Sequence, residues 1–313
     1  MADITALGEL LVDFTQAGFS PAGYPLFEQN PGGAPANLLA AAAKQGLSTA
    51  FIGKVGDDMH GRFLKAAAER AGINTEGLVM DPAAATSLAF VALSDSGERE
   101  FSFIRDPGAD TLLRPNELNQ QLLRNTKVFH VGSVSLTAEP SRSSTWQARE
   151  MGVLVSYDPN YRASLWADDA AACDQIRSIL PIVDIIKLSQ EEMPFAAGID
   201  DVDTAIKVLR KEGVALIVIT LGEGGAVVAT GDQQRSVPAF PCDAVDTTGA
   251  GDAFFGGFLS EFVKSGKSVY EVSIDDMVRF ARVGCATASL CIGRRGGIPS
   301  MPTMEEVTEL LNG

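Results

Sequence analysis

The stretch Val245-Asp246-Thr247-Thr248-Gly249-Ala250-Gly251-Asp252-Ala253-Phe254-Phe255-Gly256-Gly257-Phe258 decides how the chain is read. A turn rich in glycine runs without a break into an apolar helical segment. Such a turn presents consecutive backbone N–H groups at a helix N-terminus, where the partial positive charge favours a phosphate. Asp252 falls in the first turn of that helix. A carboxylate there could take the proton of a hydroxyl that attacks phosphorus. An isolated Gly-x-Gly would carry little weight, because the aspartate could be a simple cap and the glycines could serve packing. Anion donors beside a base are together what phosphoryl transfer to an alcohol requires.

Working outward, short apolar runs that end in glycine or polar residues recur at 49–55, 127–131, 153–157, 184–188 and 216–220. Helical patterns separate many of them. Residues 62–71 place Phe63, Leu64, Ala67, Ala68 and Ala71 on one face and stop at Gly72; residues 203–212 read similarly, with Gly213 at the end. Near the C-terminus, Thr303 and Glu306 have capping-box spacing. Alternating strands and helices predict a mostly parallel sheet covered on both faces, with ligands beyond the carboxyl ends of its strands. Two segments break the alternation, 10–29 and 87–105. In the second, Leu88-Ala-Phe-Val-Ala-Leu93 and Glu100-Phe-Ser-Phe-Ile-Arg105 flank Ser94-Asp-Ser-Gly97 as a β-hairpin. It reads either as an edge of the main sheet or as a lid that excludes water.

A chain of 313 residues that is 46% hydrophobic can bury the core of one large α/β unit. Its net charge of −15 repels nucleic acid and anionic membranes, so neither is an expected partner. The four cysteines (Cys173, Cys242, Cys285 and Cys291) have no C-x-x-C spacing and read as buried reduced thiols. The start Met1-Ala2-Asp3-Ile4 has no basic segment before an apolar one, so a cytoplasmic location is expected. A Walker A loop fails because Glu261 stands where the first glycine before Gly266-Lys267-Ser268 is needed. The late glycine cluster tells against a Rossmann dehydrogenase, and Ser133 lies in no Gly-x-Ser-x-Gly elbow.

Two further glycine patterns stand out. Pro31-Gly32-Gly33-Ala34-Pro35-Ala36-Asn37 allows a close backbone approach next to an amide that can donate and accept. Thr220-Leu-Gly-Glu-Gly-Gly225 follows a very apolar strand, where amides could approach phosphate or ribose. A plain hairpin turn into residues 226–229 is the other reading.

The string from Asp246 to Phe254 closely resembles the C-terminal signature of the ribokinase-like (PfkB) carbohydrate kinases, and the resemblance extends over essentially the whole chain. It is closest to the fructokinase branch through Ser87-Leu-Ala-Phe-Val, Gly97-Glu-Arg-Glu-Phe101, Arg105-Asp-Pro-Gly-Ala-Asp110 and Tyr157-Asp-Pro-Asn-Tyr-Arg162. The resemblance implies one ribokinase-like α/β domain over 1–313, with a small β-sheet lid from insertions near 10–30 and 87–106. It implies transfer of the γ-phosphoryl group of Mg-ATP to a sugar hydroxyl, with D-fructose converted to fructose 6-phosphate. Aminoimidazole riboside, ribose and 2-keto-3-deoxygluconate are alternative acceptors. A silent sugar- or nucleotide-binding regulator is the rival from another class, but Asp252 and its glycines are all present.

The same resemblance assigns roles. Asp252 is the base, and the amides of Gly249, Ala250 and Gly251 stabilise developing charge. Asp13, Gly33 and Asn37 hold the sugar, Arg105 reaches it from the lid, and Arg162 lies near the transferred phosphate. Thr220, Gly222, Gly225 and Thr248 contact ATP, while Gly284 to Ser289 and Arg294 to Pro299 form the adenine side. Glu192 orients magnesium through water, with Ser189 standing where relatives carry Asn, and Asp246 lies near a possible potassium ion. A homodimer through the lid is also implied.

Overall fold

The computed structural model describes residues 1–93, 99–149 and 153–313. Its strands, in chain order, are β1 (Ala2–Leu7), β2 (Leu11–Phe19), β3 (Pro25–Gly32), β4 (Thr49–Gly56), β5 (Ile73–Asp81), β6 (Leu88–Leu93), β7 (Arg99–Ile104), β8 (Thr126–Val131), β9 (Leu154–Tyr157), β10 (Ile185–Ser189), β11 (Leu216–Thr220), β12 (Ala226–Thr230) and β13 (Gln233–Val237). They form a nine-stranded sheet ordered β13-β12-β11-β10-β9-β8-β1-β4-β5 and a separate four-stranded sheet ordered β3-β2-β6-β7. In the large sheet every pairing is parallel except β11–β12 and β12–β13. This is the expected ribokinase-like α/β architecture.

The apolar runs are continuous rather than alternating because both faces of the sheet are covered. Along β11, Leu216 and Val218 enter one core with Phe255 and Phe258, while Ile217 and Ile219 enter the other with Ile206 and Leu209. Parallel strands place their carboxyl ends on one edge. Glu9 follows β1, Asp158 follows β9, Glu192 follows β10 and Gly222 follows β11, so all four gather there.

Several boundaries moved. The helix expected at 62–71 spans Met59–Arg70, because the Asp58 carboxylate caps it by accepting the Gly61 N–H at 2.8 Å. Residues 203–212 form the helix Val202–Lys211, capped by Asp201. The capping box of Thr303 and Glu306 is present. β1, an inner strand between β8 and β4, was not read from the sequence. Strands β6 and β7 pair antiparallel with Leu88 opposite Ile104. The expected turn at Ser94 to Gly97, and with it the start of the Gly97-Glu-Arg-Glu-Phe101 motif, lies outside the described residues. β2 joins the hairpin by pairing parallel with β6.

The cysteines need one correction. Cys285 and Cys291 are buried and all four are free, but Cys242 is exposed and Cys173 only partly covered. Cys242 sits in the irregular segment after β13.

Candidate active site

The Gly-rich turn becomes a helix at Ala250–Ser265, with Gly249 as its N-cap at φ 76°, a conformation that favours glycine. Phe254, Phe255, Phe258 and Phe262 bury its apolar face. Gly256 and Gly257 let two other helices approach closely. A Cβ on Gly256 would lie 2.7 Å from the Cβ of Ala41 in the helix Ala34–Lys44, and one on Gly257 would lie 2.5 Å from Thr287 Oγ1 in the helix Ile274–Ile292. These two glycines therefore serve packing.

The close approach brings Asn37 to Asp252. The Asn37 amide donates to Asp252 Oδ2 at 2.9 Å, and both residues are buried. Burial raises the Asp252 carboxyl above its ordinary value; the Asn37 hydrogen bond, Lys187 and Arg162 oppose that rise, and Glu192 adds to it. Asn37 Oδ1 is buried without a partner. The Ala250 N–H is directed at the Thr247 carbonyl, 3.3 Å away.

On the other side of Asn37, Gly33 caps its helix at φ 119°, and a Cβ there would lie 2.4 Å from the Glu9 carbonyl. Asp13 lies on β2 opposite Asn30 and folds over Gly32. Burial pushes its carboxyl up to about 7; Arg162 opposes the rise, and Asp246 and Asp252 add to it. Arg162 is exposed, and its guanidinium donates to the Tyr161 carbonyl at 2.9 Å. Arg105 follows β7 but is turned inward: it pairs with Asp110 at 2.7 Å and donates to Thr137 Oγ1 and the Val134 carbonyl. It thus ties the end of the small sheet to the segment after β8.

A cavity of about 630 Å³ opens on the opposite side of the Gly-rich turn. Its lining includes Thr220, Gly222, Gly225, Thr247, Ala250 and Gly251, together with Phe240, Phe254, Cys285, Ala288 and Ile292. Thr220, Gly222 and Gly225 are thus brought together with the turn, whereas Thr248 donates its N–H and hydroxyl to Asp246 Oδ1. Asp246 Oδ2 accepts the Gly296 N–H. Residues 284–289 do contribute to the cavity wall. The Arg294–Pro299 segment instead packs against Asp246, Asn37 and Asn30.

Glu192 is buried, and its carboxylate accepts the N–H of Tyr161 and of Ser189, each at 2.8 Å. Ser189 is therefore bound to Glu192 through its backbone. Among the described residues no group of three His, Cys, Asp or Glu forms a ready cage for a metal ion.

Sequence reasoning missed three charged residues here. Glu9 is buried, with Oε1 accepting the Ala34 N–H at 3.0 Å and Oε2 unpartnered. Lys187 and Asp158 form a buried ion pair at 2.8 Å. The available signal was a lysine in the middle of the apolar run Ile185-Ile-Lys187-Leu, which cannot be buried without a partner.

With this geometry in view, a family model described as pfkB family carbohydrate kinase matches residues 1–304. The chain belongs to that family. Fructokinase-1 of Zea mays is 43% identical, over 98% of this chain and 97% of that one. The structure of fructokinase from Xylella fastidiosa with bound ATP superposes at a TM-score of 0.90, with 33% identity, covering 99% of this carbohydrate kinase and 98% of that chain. A double mutant of fructokinase from Vibrio cholerae, bound to fructose, ADP and potassium ion, superposes at 0.88 with 29% identity, covering 99% and 98%.

Proposed function

We propose that this carbohydrate kinase phosphorylates D-fructose at the 6-hydroxyl with Mg-ATP. The observation that carries the reading is the Asp252 carboxylate at the start of its helix, held by Asn37 between the Asp13 and Gly33 side and the cavity beyond the Gly-rich turn. The solved fructokinases bind ATP, or fructose with ADP, in the same fold.

Asp13, Gly33 and Asn37 hold the sugar, and Thr220, Gly222, Gly225 and Thr248 hold ATP. The sugar oxygen forms its bond to the γ-phosphorus as the bond to the β–γ bridging oxygen breaks, and ADP leaves. Asp252 receives the hydroxyl proton. The first-turn amides of Gly249, Ala250 and Gly251, together with Arg162, meet the charge that develops on the transferred group. Arg105 acts on the sugar through the lid segment it anchors.

Asp158 Oδ1 is buried with no hydrogen-bond partner, an oxygen that would be available to a water carried by a divalent ion. Glu192 would hold magnesium through water, and magnesium would supply charge neutralisation at the phosphates. Asp246 and the loop it fastens support a potassium site. No helix among the described residues is long and apolar enough to cross a membrane. A cytoplasmic, membrane-free enzyme, paired through its small sheet, completes the reading.

The test is ATP turnover with Mg²⁺ over fructose, ribose, 2-keto-3-deoxygluconate, aminoimidazole riboside and adenosine. Fructose should be turned over selectively, and Asp252→Asn should bind both substrates with turnover reduced by about 10³-fold or more. Selectivity for another acceptor would replace the substrate, and near-wild-type turnover by Asp252→Asn would remove the base.

A further inference from the structure

Between β13 and the Gly-rich turn the chain has no regular structure, yet Phe240, Pro241, Cys242 and Ala244 of this segment help to line the cavity shared with Thr220 and Gly222. An irregular segment forms a defined wall only where a rigid element fixes it. Here that element is the helix Ile274–Ile292. Ser289 donates its hydroxyl to the Phe240 carbonyl at 3.1 Å. The Ile292 carbonyl accepts the N–H of Val245 at 2.8 Å and that of Asp246 at 3.0 Å. Gly225 crosses the start of the segment so closely that a Cβ on it would lie 2.6 Å from the Ala239 nitrogen.

The backbone is therefore tied down on both sides of the wall, and a further contact holds its aromatic side chain. Residues 282, 285 and 289 are spaced by three and four, so they share one face of the helix. Cys285 and Ser289 line the cavity, whereas Arg282 lies outside the lining with the Phe240 ring against it. The Arg282 guanidinium carbon stands 3.9 Å from the ring centroid, and the same guanidinium donates to the Pro238 carbonyl at 3.4 Å. Both side chains are partly buried. A planar cation over an aromatic ring restrains the tilt of that ring in a way that a flexible apolar chain does not. An aromatic ring so held in a cavity wall is a surface against which a nucleobase packs, whereas backbone amides of a Gly-rich turn meet only phosphates.

We propose that Arg282 is a positioning residue for the phosphoryl donor: stacked on Phe240 and bonded to the Pro238 carbonyl, it fixes that ring as the wall that receives the base of the nucleotide. The proposal rests on the reading of this cavity as the ATP site.

The test compares wild type, Arg282→Met, Phe240→Leu and the double variant Arg282→Met/Phe240→Leu. Binding of ADP and of UDP is measured by calorimetry without sugar, and kcat and the KM values for ATP and sugar are measured alongside thermal unfolding. Phe240→Leu should weaken ADP about tenfold. Arg282→Met should weaken ADP about threefold or more and raise the KM for ATP in parallel, while kcat at saturating ATP and the KM for sugar stay within about twofold of wild type. A base with two fused rings has more to lose from a displaced wall than a single ring, so the preference for ADP over UDP should shrink in both single variants. Simple loosening of the fold would weaken the two nucleotides equally and would overturn the proposal. In the double variant, loss of Arg282 should add less than twofold to the loss from Phe240→Leu, because the effect runs through the ring. A full additional loss would overturn it.

Arg282→Gln offers a second route, since it keeps a donor near the Pro238 carbonyl but removes the cation from the ring. It should weaken ADP in the same direction, and wild-type binding there would overturn the proposal even if Arg282→Met does not fold. Failure of wild type to bind ADP would remove the reading of the cavity first. If Phe240→Leu weakens ADP and neither Arg282 variant does, only the role of Arg282 fails.

Discussion

Glu9 shows how one side chain can reverse the usual pH dependence of a carboxylate. Burial pushes its carboxyl from 4.5 up to about 7; Asp110 adds to the rise, while the backbone hydrogen bonds and Arg105 oppose it. Folding therefore takes up a proton at Glu9 between those two values, and stability falls as pH rises through that window. An ion-paired carboxylate with a lowered pKa would do the opposite. A rise of that size is worth about 3 kcal/mol above pH 7. Glu9→Gln keeps an oxygen for the Ala34 N–H and carries no charge. Its melting temperature should exceed that of wild type at pH 8, and the advantage should vanish near pH 5, as read by calorimetry at both values. An equal advantage at both would mean that Glu9 is not titrating.

At the scale of elements, the site exists because three helices can approach at glycine. The helix Ala250–Ser265 lies against Ala34–Lys44 at Gly256, where an added Cβ meets Ala41 Cβ at 2.7 Å and the Leu38 carbonyl at 2.8 Å. Alanine has the higher helix propensity by about 1 kcal/mol. The clash is with backbone and a packed methyl group, so it dominates. Gly256→Ala should cost about 1–3 kcal/mol in urea unfolding and should lower kcat as the Asn37–Asp252 bond is stretched. Stabilisation with unchanged kcat would show that the helices have room to separate. The predicted helix starts at 62 and 203 differ from the observed 59 and 202 for a local reason. Periodicity marks the apolar face, but the caps Asp58 and Asp201 set the first turn.

At the scale of the whole molecule, the small sheet leaves Phe19, Tyr24, Leu26 and Ile104 exposed, Tyr24 by 71%, and its outer strands β3 and β7 are edges. Apolar surface of this kind is suited to burial against a second copy. The protein should run as a dimer by light scattering, and Tyr24→Asp combined with Leu26→Asp should make it a monomer. A wild-type monomer would dismiss the pairing. The amino-acid sequence by itself determined the α/β alternation, the extra β segments and the anion-binding turn with Asp252, because these depend on periodicity and on contiguous residues. Ala2-Asp-Ile-Thr-Ala-Leu7 has no strong pattern, and only its neighbours β4 and β8 make it an inner strand of the sheet. The meeting of Asn37 with Asp252, the hydrogen bond from Arg105 to Thr137 and the Lys187–Asp158 pair beneath Gly251 were decided by the tertiary structure alone. Each joins residues distant in sequence, and the burial that makes it consequential arises only when the parallel strands bring their carboxyl ends to one edge.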